Sequence, residues 1–329
     1  MTHSTRSTGS TLAALIAMML VVGTAACGDD SAGDDDNGDA GGPGPLGDDP
    51  VFGGIGDALP DLSSDCAVAG SAVTLSLPAA GAVAIVQVNG AGALMINQLT
   101  SCGGDVVLVD EITDLQIDGT AGGDDVVILD YDGGLFLTGN AGDDAIVEVD
   151  LGDEGHDELR VRGTPGADTL LVGTADATTS IAAGDDDDVD VNAVGLEAMM
   201  VSGGGGADTI LAGGDGDDGS PTGAPLDVAI TLFGGAGADT LGGGDADDSF
   251  HGGAGLDTVS YAAKDAPVTA DLGGEVGDDG VDGEADAIAA DIENLIGSAT
   301  AASTLTGDGA ANVLTGGAAA DVLDGGEGD

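Results

Sequence analysis

Basic side chains are almost absent: four Lys and Arg stand against 61 Asp and Glu, a formal net charge of -57 over 329 residues. That balance excludes nucleic acid as a partner, because a polyanion repels phosphate instead of releasing counterions from it. Tryptophan is missing and aromatic residues make up 2% of the chain, too few to fill the core of a large globular enzyme. Cysteine and histidine number three each, and no CxxC or HExxH spacing offers zinc a framework. His156 and His251 read as surface residues. No GxSxG elbow frames a nucleophile, so no enzymatic chemistry is expected. Long apolar runs are equally scarce. The one at 12–22 falls short of the roughly 20 residues that cross a bilayer.

What is abundant is glycine, with 63 residues, beside a hydrophobic fraction of 42% drawn mostly from Ala, Val, Leu and Ile. Such a mixture suits a thin, uniform core. The charge calls for cations, since self-repulsion of this size destabilises a compact state.

The N-terminus reads as an address. A polar start with Arg6, the apolar run 12–22 and the small residues 23–26 before Cys27 have the layout of a secretory signal, residues 1–27. Small residues directly before Cys27 resemble a bacterial lipobox, which would make Cys27 a lipidated first residue anchored in the bacterial envelope. Ordinary cleavage nearby, with Cys27 incidental, is the alternative. Either reading places the protein outside the cytoplasm, as an outer-membrane or cell-surface lipoprotein or as a secreted protein. Residues 28–61, rich in Asp, Gly and Pro, cannot bury enough apolar surface to offset chain entropy and read as a disordered acidic tether. Cys66 and Cys102, an even pair in an exported chain, are expected to form a disulfide within a β-rich cap region, 62–118.

Internal periodicity carries the most information. The pattern Gly-Gly-x-Gly-x-Asp-x-U-x, with U a large apolar residue, fits 203–211 (GGGGADTIL), 234–242 (GGAGADTLG) and 252–260 (GGAGLDTVS) at every position. Residues 243–251 (GGDADDSFH) keep the phase with Ala246 at the fourth position, and 213–221 (GGDGDDGSP) place Ser220 at the apolar position. Looser copies start at Gly119, Gly139, Gly152 and Gly163, and suggest a degenerate-repeat solenoid over 119–202 with longer rungs. Glycine supplies the positive φ and close backbone approach of a tight turn. The residues that follow form a short strand whose U side chain points inward, so that two nonapeptides close one coil and strands stack about 4.8 Å apart. Sixth-position aspartates then stand in rows. At about 5 Å and an effective dielectric near 20, neighbouring carboxylates repel by about 3 kcal/mol. Calcium, which takes six to eight hard oxygens, turns that repulsion into coordination.

These residues resemble the RTX, or hemolysin-type calcium-binding, nonapeptide-repeat family. The resemblance is specific over 203–329 and implies an all-β fold, a parallel β-roll or β-solenoid. By that resemblance Asp208, Asp239, Asp248 and Asp257 would supply side-chain oxygens, with Asp218 from the interrupted copy, and Gly235, Gly237, Gly253 and Gly255 would supply carbonyls. Asp239 and Asp257, one coil apart on a shared edge, form the leading pair. Asn312 and Asp321 belong to degenerate copies. The function expected is calcium ion binding by an exported, envelope-anchored protein with a structural or adhesive role towards an unknown surface or matrix partner. The competing expectation is a calcium-folding appendage of a larger secreted enzyme or toxin whose catalytic part is absent from this chain.

Overall fold

The computed structural model describes residues 49–55, 59–79, 81–120, 122–133, 147–152, 155–175, 177–184, 189–213, 223–274 and 276–328. These fall within one compact unit, Ala40–Asp329. The signal with Cys27, the tether as far as residue 48, and Asp218 lie outside the described residues.

Glycine turns and short apolar alternations divide the chain into strands of three to eight residues. Among the described residues these assemble into two sheets of twelve strands, and the helical content is two single 3-10 turns, Pro50–Phe52 and Val109–Glu111. The fold is all-β. In the repeat coils the chain crosses from one sheet to the other at each turn: Ile230–Gly237 and Ser249–Gly255 lie in the second sheet, Thr240–Gly242 and Thr258–Ser260 in the first. Parallel register sets Leu232 opposite Phe250 and Leu241 opposite Val259. Two nonapeptides therefore close one coil, since 250 − 232 and 259 − 241 both give 18 residues. The eighth-position side chains Ile210, Leu241, Phe250 and Val259 are wholly buried between the sheets. Each removes its apolar area from water at about 25 cal/mol per Å².

Upstream the coils lengthen: equivalent turn positions Asp125 and Asp157 are 32 residues apart, and Asp157 and Glu197 are 40 apart. The roll is not uniformly parallel. Thr169–Ala175 folds back on Thr178–Ala183, with Ala177 at φ 64 in the reversal, and Val268–Asp271 pairs antiparallel with Val276–Val281.

The first coil is closed by two antiparallel additions, Cys66–Ala69 on Ala72–Ser76 and Leu94–Ile96 on Val83–Val88. A disulfide joins Cys66 to Cys102, with the Cα atoms 4.9 Å apart. The ladders run unbroken across 118/119 and 202/203. Ala72–Ser76 pairs with Asp114–Asp118, which pairs with Val147–Asp150, and Ala198–Ser202 pairs with Ile230–Gly237. The cap region, the degenerate copies and the repeats thus share one pair of sheets.

The tether ends earlier than its composition suggests. Residues 49–55 pack on the outer face of the second sheet, where Val51 and Phe52 join Ile85 and Ile128 in a small separate core. Arg160 fixes this segment by donating to the carbonyls of Val51 (2.9 Å) and Gly53 (2.7 Å), and the Arg162 guanidinium lies 5.0 Å from the centre of the Phe52 ring. Four apolar residues, Val51, Phe52, Ile55 and Leu59, supply the burial that the Asp-Gly-Pro run before them lacks.

Candidate metal centre

The turns that lead from the second sheet to the first stack along one edge of the roll. At this first edge the sixth-position carboxylates form a ladder. The backbone N–H of Asp168 donates to Asp208 Oδ1 (2.8 Å), that of Asp208 to Asp239 Oδ1 (2.8 Å), that of Asp239 to Asp257 Oδ1 (2.9 Å) and that of Asp257 to Glu293 Oε2 (2.8 Å). Asp248 is not part of this row. It stands on the opposite edge, where it accepts from Ile230 N–H (3.0 Å) and its own N–H donates to Asp286 Oδ1 (2.9 Å). A third run on that second edge links Ala82, Asp125, Asp157 and Glu197 in the same way.

One oxygen of each sixth-position carboxylate is thus spent on the coil before it. The other oxygen separates the turns into two kinds. Oδ2 of Asp208, Asp239, Asp248 and Asp257 is buried with no hydrogen-bond partner, as is that of Asp157. In contrast, Asp125 Oδ2 accepts from Thr120 N–H and Asp168 Oδ2 accepts from Thr164 N–H, 2.8 and 2.7 Å, and both threonine hydroxyls donate as well. The difference follows the second residue of the turn. Threonine there donates to the aspartate of its own turn. Gly204, Gly235 and Gly253 stand at φ +88 to +100, and the Gly253 N–H goes instead to Asp291 Oδ2 in the next coil (2.9 Å).

The first-position glycine has a different cause. No positive φ is imposed on Gly234, but a Cβ built there would lie 2.5 Å from Asp239 Oδ2 and 2.6 Å from the Gly252 carbonyl oxygen. Gly203 and Gly252 face Asp208 and Asp257 in the same manner. An unpartnered carboxylate oxygen and the carbonyl of the next coil therefore converge on the glycine Cα. Carbonyl oxygens of Gly235 and Gly237 occupy the places where side chains on Gly253 and Gly255 would stand. Between stacked turns Ala236 N–H donates to Gly204 O (2.9 Å) and Gly206 N–H to Ala236 O (2.7 Å), which leaves each carbonyl a second lone pair.

An ionised carboxylate held dry on one side is costly. Burial accordingly pushes Asp208 and Asp248 up to about 7 and Asp257 up to about 6, and raises Asp239. Neighbouring carboxylates add to the rise, Asp239 and Asp168 at Asp208, and Asp239, Glu293 and Asp291 at Asp257. The basic side chains among the described residues are committed elsewhere: Arg160 to Glu158, Arg162 to Asp130 and Asp132, Lys264 to Asp245 and Glu284. Among the described residues no three or more His, Cys, Asp or Glu side chains are arranged to hold a metal ion by themselves. A cation on the first edge would take its oxygens from these aspartates and from turn carbonyls, a donor set that suits a hard ion such as calcium.

Several of these residues were hidden from pattern matching. In the copy beginning at Gly119 the turn holds one extra residue. Asp125 and Val127, not Asp124 and Val126, take the ladder and core places. Asp286, Asp291 and Glu293 follow no glycine pair, and only their distance from Asp248 and Asp257 along the chain hints at a shared edge. In the last coils Asn312 Oδ1 accepts from Asp308 N–H of its own turn (3.0 Å), as Asp168 does from Thr164, whereas Asp321 Oδ1 accepts from Ser303 N–H of the coil before it (2.8 Å), which is the ladder bond.

Comparison with protein families finds the RTX calcium-binding nonapeptide repeat in four copies, over residues 231–259 and 301–329. The copy at 203–211 lies outside that match although Asp208 shares its ladder. No curated protein and no solved structure matches the chain.

Proposed function

We propose, from the premise that this chain carries RTX calcium-binding nonapeptide repeats, that it is an exported, calcium-stabilised structural module whose ions sit along the first edge of the roll. The observation that supports this most is the row of buried, unpartnered oxygens on Asp208, Asp239 and Asp257, with no basic side chain committed to them. Asp239 and Asp257 are the leading side-chain ligands, and Gly235, Gly237, Gly253 and Gly255 the leading carbonyl donors. The ion supplies positive charge where the fold stacks like charges, and so couples folding of these coils to calcium. Asp248, on the second edge, is not part of this row.

RTX repeat proteins are typically secreted, which agrees with an export signal at 1–27. In the reading we favour, Cys27 carries a lipid that holds the module at the bacterial envelope and the roll acts as a structural or adhesive element. No catalytic step is assigned to it. A calcium titration of the mature chain followed by far-UV circular dichroism tests the calcium assignment. A gain of β signal at calcium levels of about 0.1–1 mM, where extracellular modules bind, is expected, and an unchanged spectrum with no bound calcium would reject it. Lipid labelling of Cys27, with Cys27→Ala as control, tests the anchor.

A further inference from the structure

The chain contains one lysine, Lys264, and it is buried. It sits in the connection that leaves Thr258–Ser260 on the second edge of the roll. Contacts, not an 18-residue count, fix its place: the turn that stacks on 243–248 is 281–286, because Asp248 N–H donates to Asp286 Oδ1, and Lys264 reaches both. The connection that carries it, 261–266, reads Tyr-Ala-Ala-Lys-Asp-Ala and has no glycine. No glycine carbonyl cradle can form there on the pattern of Gly235 and Gly237. The Lys264 ammonium instead reaches between these two stacked turns and donates to the Gly244 carbonyl and Asp245 Oδ1 (3.4 Å) of one and to Glu284 Oε1 of the other. A second-position glycine carbonyl and two carboxylates are the class of oxygen donors that a calcium ion would collect between two such turns.

We propose that Lys264 is a tethered substitute for a calcium ion on the second edge, so that the coil joining 243–248 to 279–286 is neutralised from within the chain. This rests on the calcium reading of the first edge. The ladder itself runs on beside the lysine: on this edge Asp248 N–H donates to Asp286 Oδ1 (2.9 Å). Burial raises both carboxyls, and the Lys264 charge is among the effects that oppose the rise. A lysine makes this coil indifferent to calcium concentration, whereas the first edge remains dependent on it.

The test compares wild type, Lys264→Met and Lys264→Arg by calorimetric calcium titration of the full mature chain. Lys264→Met is expected to bind one more calcium ion than wild type, and Lys264→Arg the same number as wild type. Terbium supplies a second readout, because Tyr261, buried in this coil, is one of only two tyrosines and there is no tryptophan. Tyrosine-sensitised terbium emission should rise by roughly threefold in Lys264→Met through closer approach of the ion. Equal stoichiometry in Lys264→Met and wild type, the same extra ion in Lys264→Arg, or a Lys264→Met chain that does not fold at any calcium concentration would each overturn the proposal. A wild type that binds no calcium contradicts the first-edge reading alone. The difference between wild type and Lys264→Met still decides the lysine.

Discussion

The upstream coils and the repeat coils have the same backbone plan and satisfy their acids differently. Before residue 203 the turns at 119–125 and 163–168 carry Thr at the second position, and each threonine closes the free oxygen of its own aspartate. The same stretch has long coils, a disulfide between Cys66 and Cys102, and an arginine that binds residues 49–53 to the sheet. In the repeat copies Gly204, Gly235, Gly244 and Gly253 stand at that position, Asp239 and Asp257 lie 18 residues apart, and Oδ2 of Asp208, Asp239, Asp248 and Asp257 is buried and alone. One atom group at one turn position thus separates Asp125 and Asp168, each capped by its own turn, from Asp208, Asp239 and Asp257, whose second oxygen has no partner. Asp157 is the instructive exception, since it lies upstream and also has a lone buried oxygen.

The largest break in this comparison should come from Gly237→Ala. Gly237 has φ +156, and a Cβ there would overlap the Gly206 carbonyl of the preceding coil. A loss of more than about 3 kcal/mol is expected, read as a drop in thermal midpoint in calcium. Gly166→Ala in an upstream turn meets only the Thr164 hydroxyl, at 3.6 Å, and should shift the midpoint by less than about 1 kcal/mol equivalent.

Next in size is the pair Asp239→Asn with Asp257→Asn. Asparagine keeps an oxygen for the ladder bond and removes the charge. Calcium affinity should fall by at least about tenfold, while stability in chelator should rise because the buried charges are gone. Asp125→Asn with Asp168→Asn should leave calcium affinity unchanged. Equal losses in both pairs would erase the distinction between the regions.

The pH dependence sharpens the same contrast. Folding raises Asp208 to about 7 and Asp257 to about 6 from an unfolded value of 3.8, chiefly through burial. A carboxyl raised by folding contributes stability that is fully present below the unfolded value and is lost as pH climbs through the folded one. Without calcium the repeat coils should therefore lose stability between about pH 4 and pH 7. Saturating calcium, which competes with protons for the same oxygens, should reverse that slope. Chemical denaturation at pH 4.5 and 7.5 (about the ends of that window), with calcium and with chelator, measures both slopes.

A smaller effect than that of Gly237→Ala is expected from Thr164→Gly, which removes the hydroxyl donor from Asp168. A loss of about 1 to 2 kcal/mol is expected in chelator, with part of it recovered in calcium as Asp168 comes to resemble Asp208. No recovery would mean that the second residue does not set calcium dependence.

Much of the roll was legible in the residues themselves. The Gly-Gly-x-Gly-x-Asp spacing at 234 and 252 encodes both the turn and the inward Leu241 and Val259, because glycine geometry and strand alternation are local rules. The pairing of Asp239 with Asp257 on one edge was equally readable from the 18-residue interval. What escaped was set by distant contacts. The extra turn residue that puts Asp125 in the ladder and the docking of 49–55 through Arg160 depend on partners 32 and 109 residues away, and the hairpin at 169–183 adds a reversal that the repeat pattern does not contain. Lys264 was illegible for the same reason: its partners lie 19 and 20 residues off in the chain.

The most direct test of the central claim is residue-resolved hydrogen exchange in chelator and in millimolar calcium. The amides of Asp168, Asp208 and Asp239 each donate to the carboxylate of the next coil along the first edge, and those of Ala82 and Asp125 do so upstream. Calcium should slow exchange at Asp208 and Asp239 by about 100-fold or more and leave Ala82 and Asp125 within about threefold. Uniform protection at all of these amides in chelator, unaltered by calcium, would contradict the account.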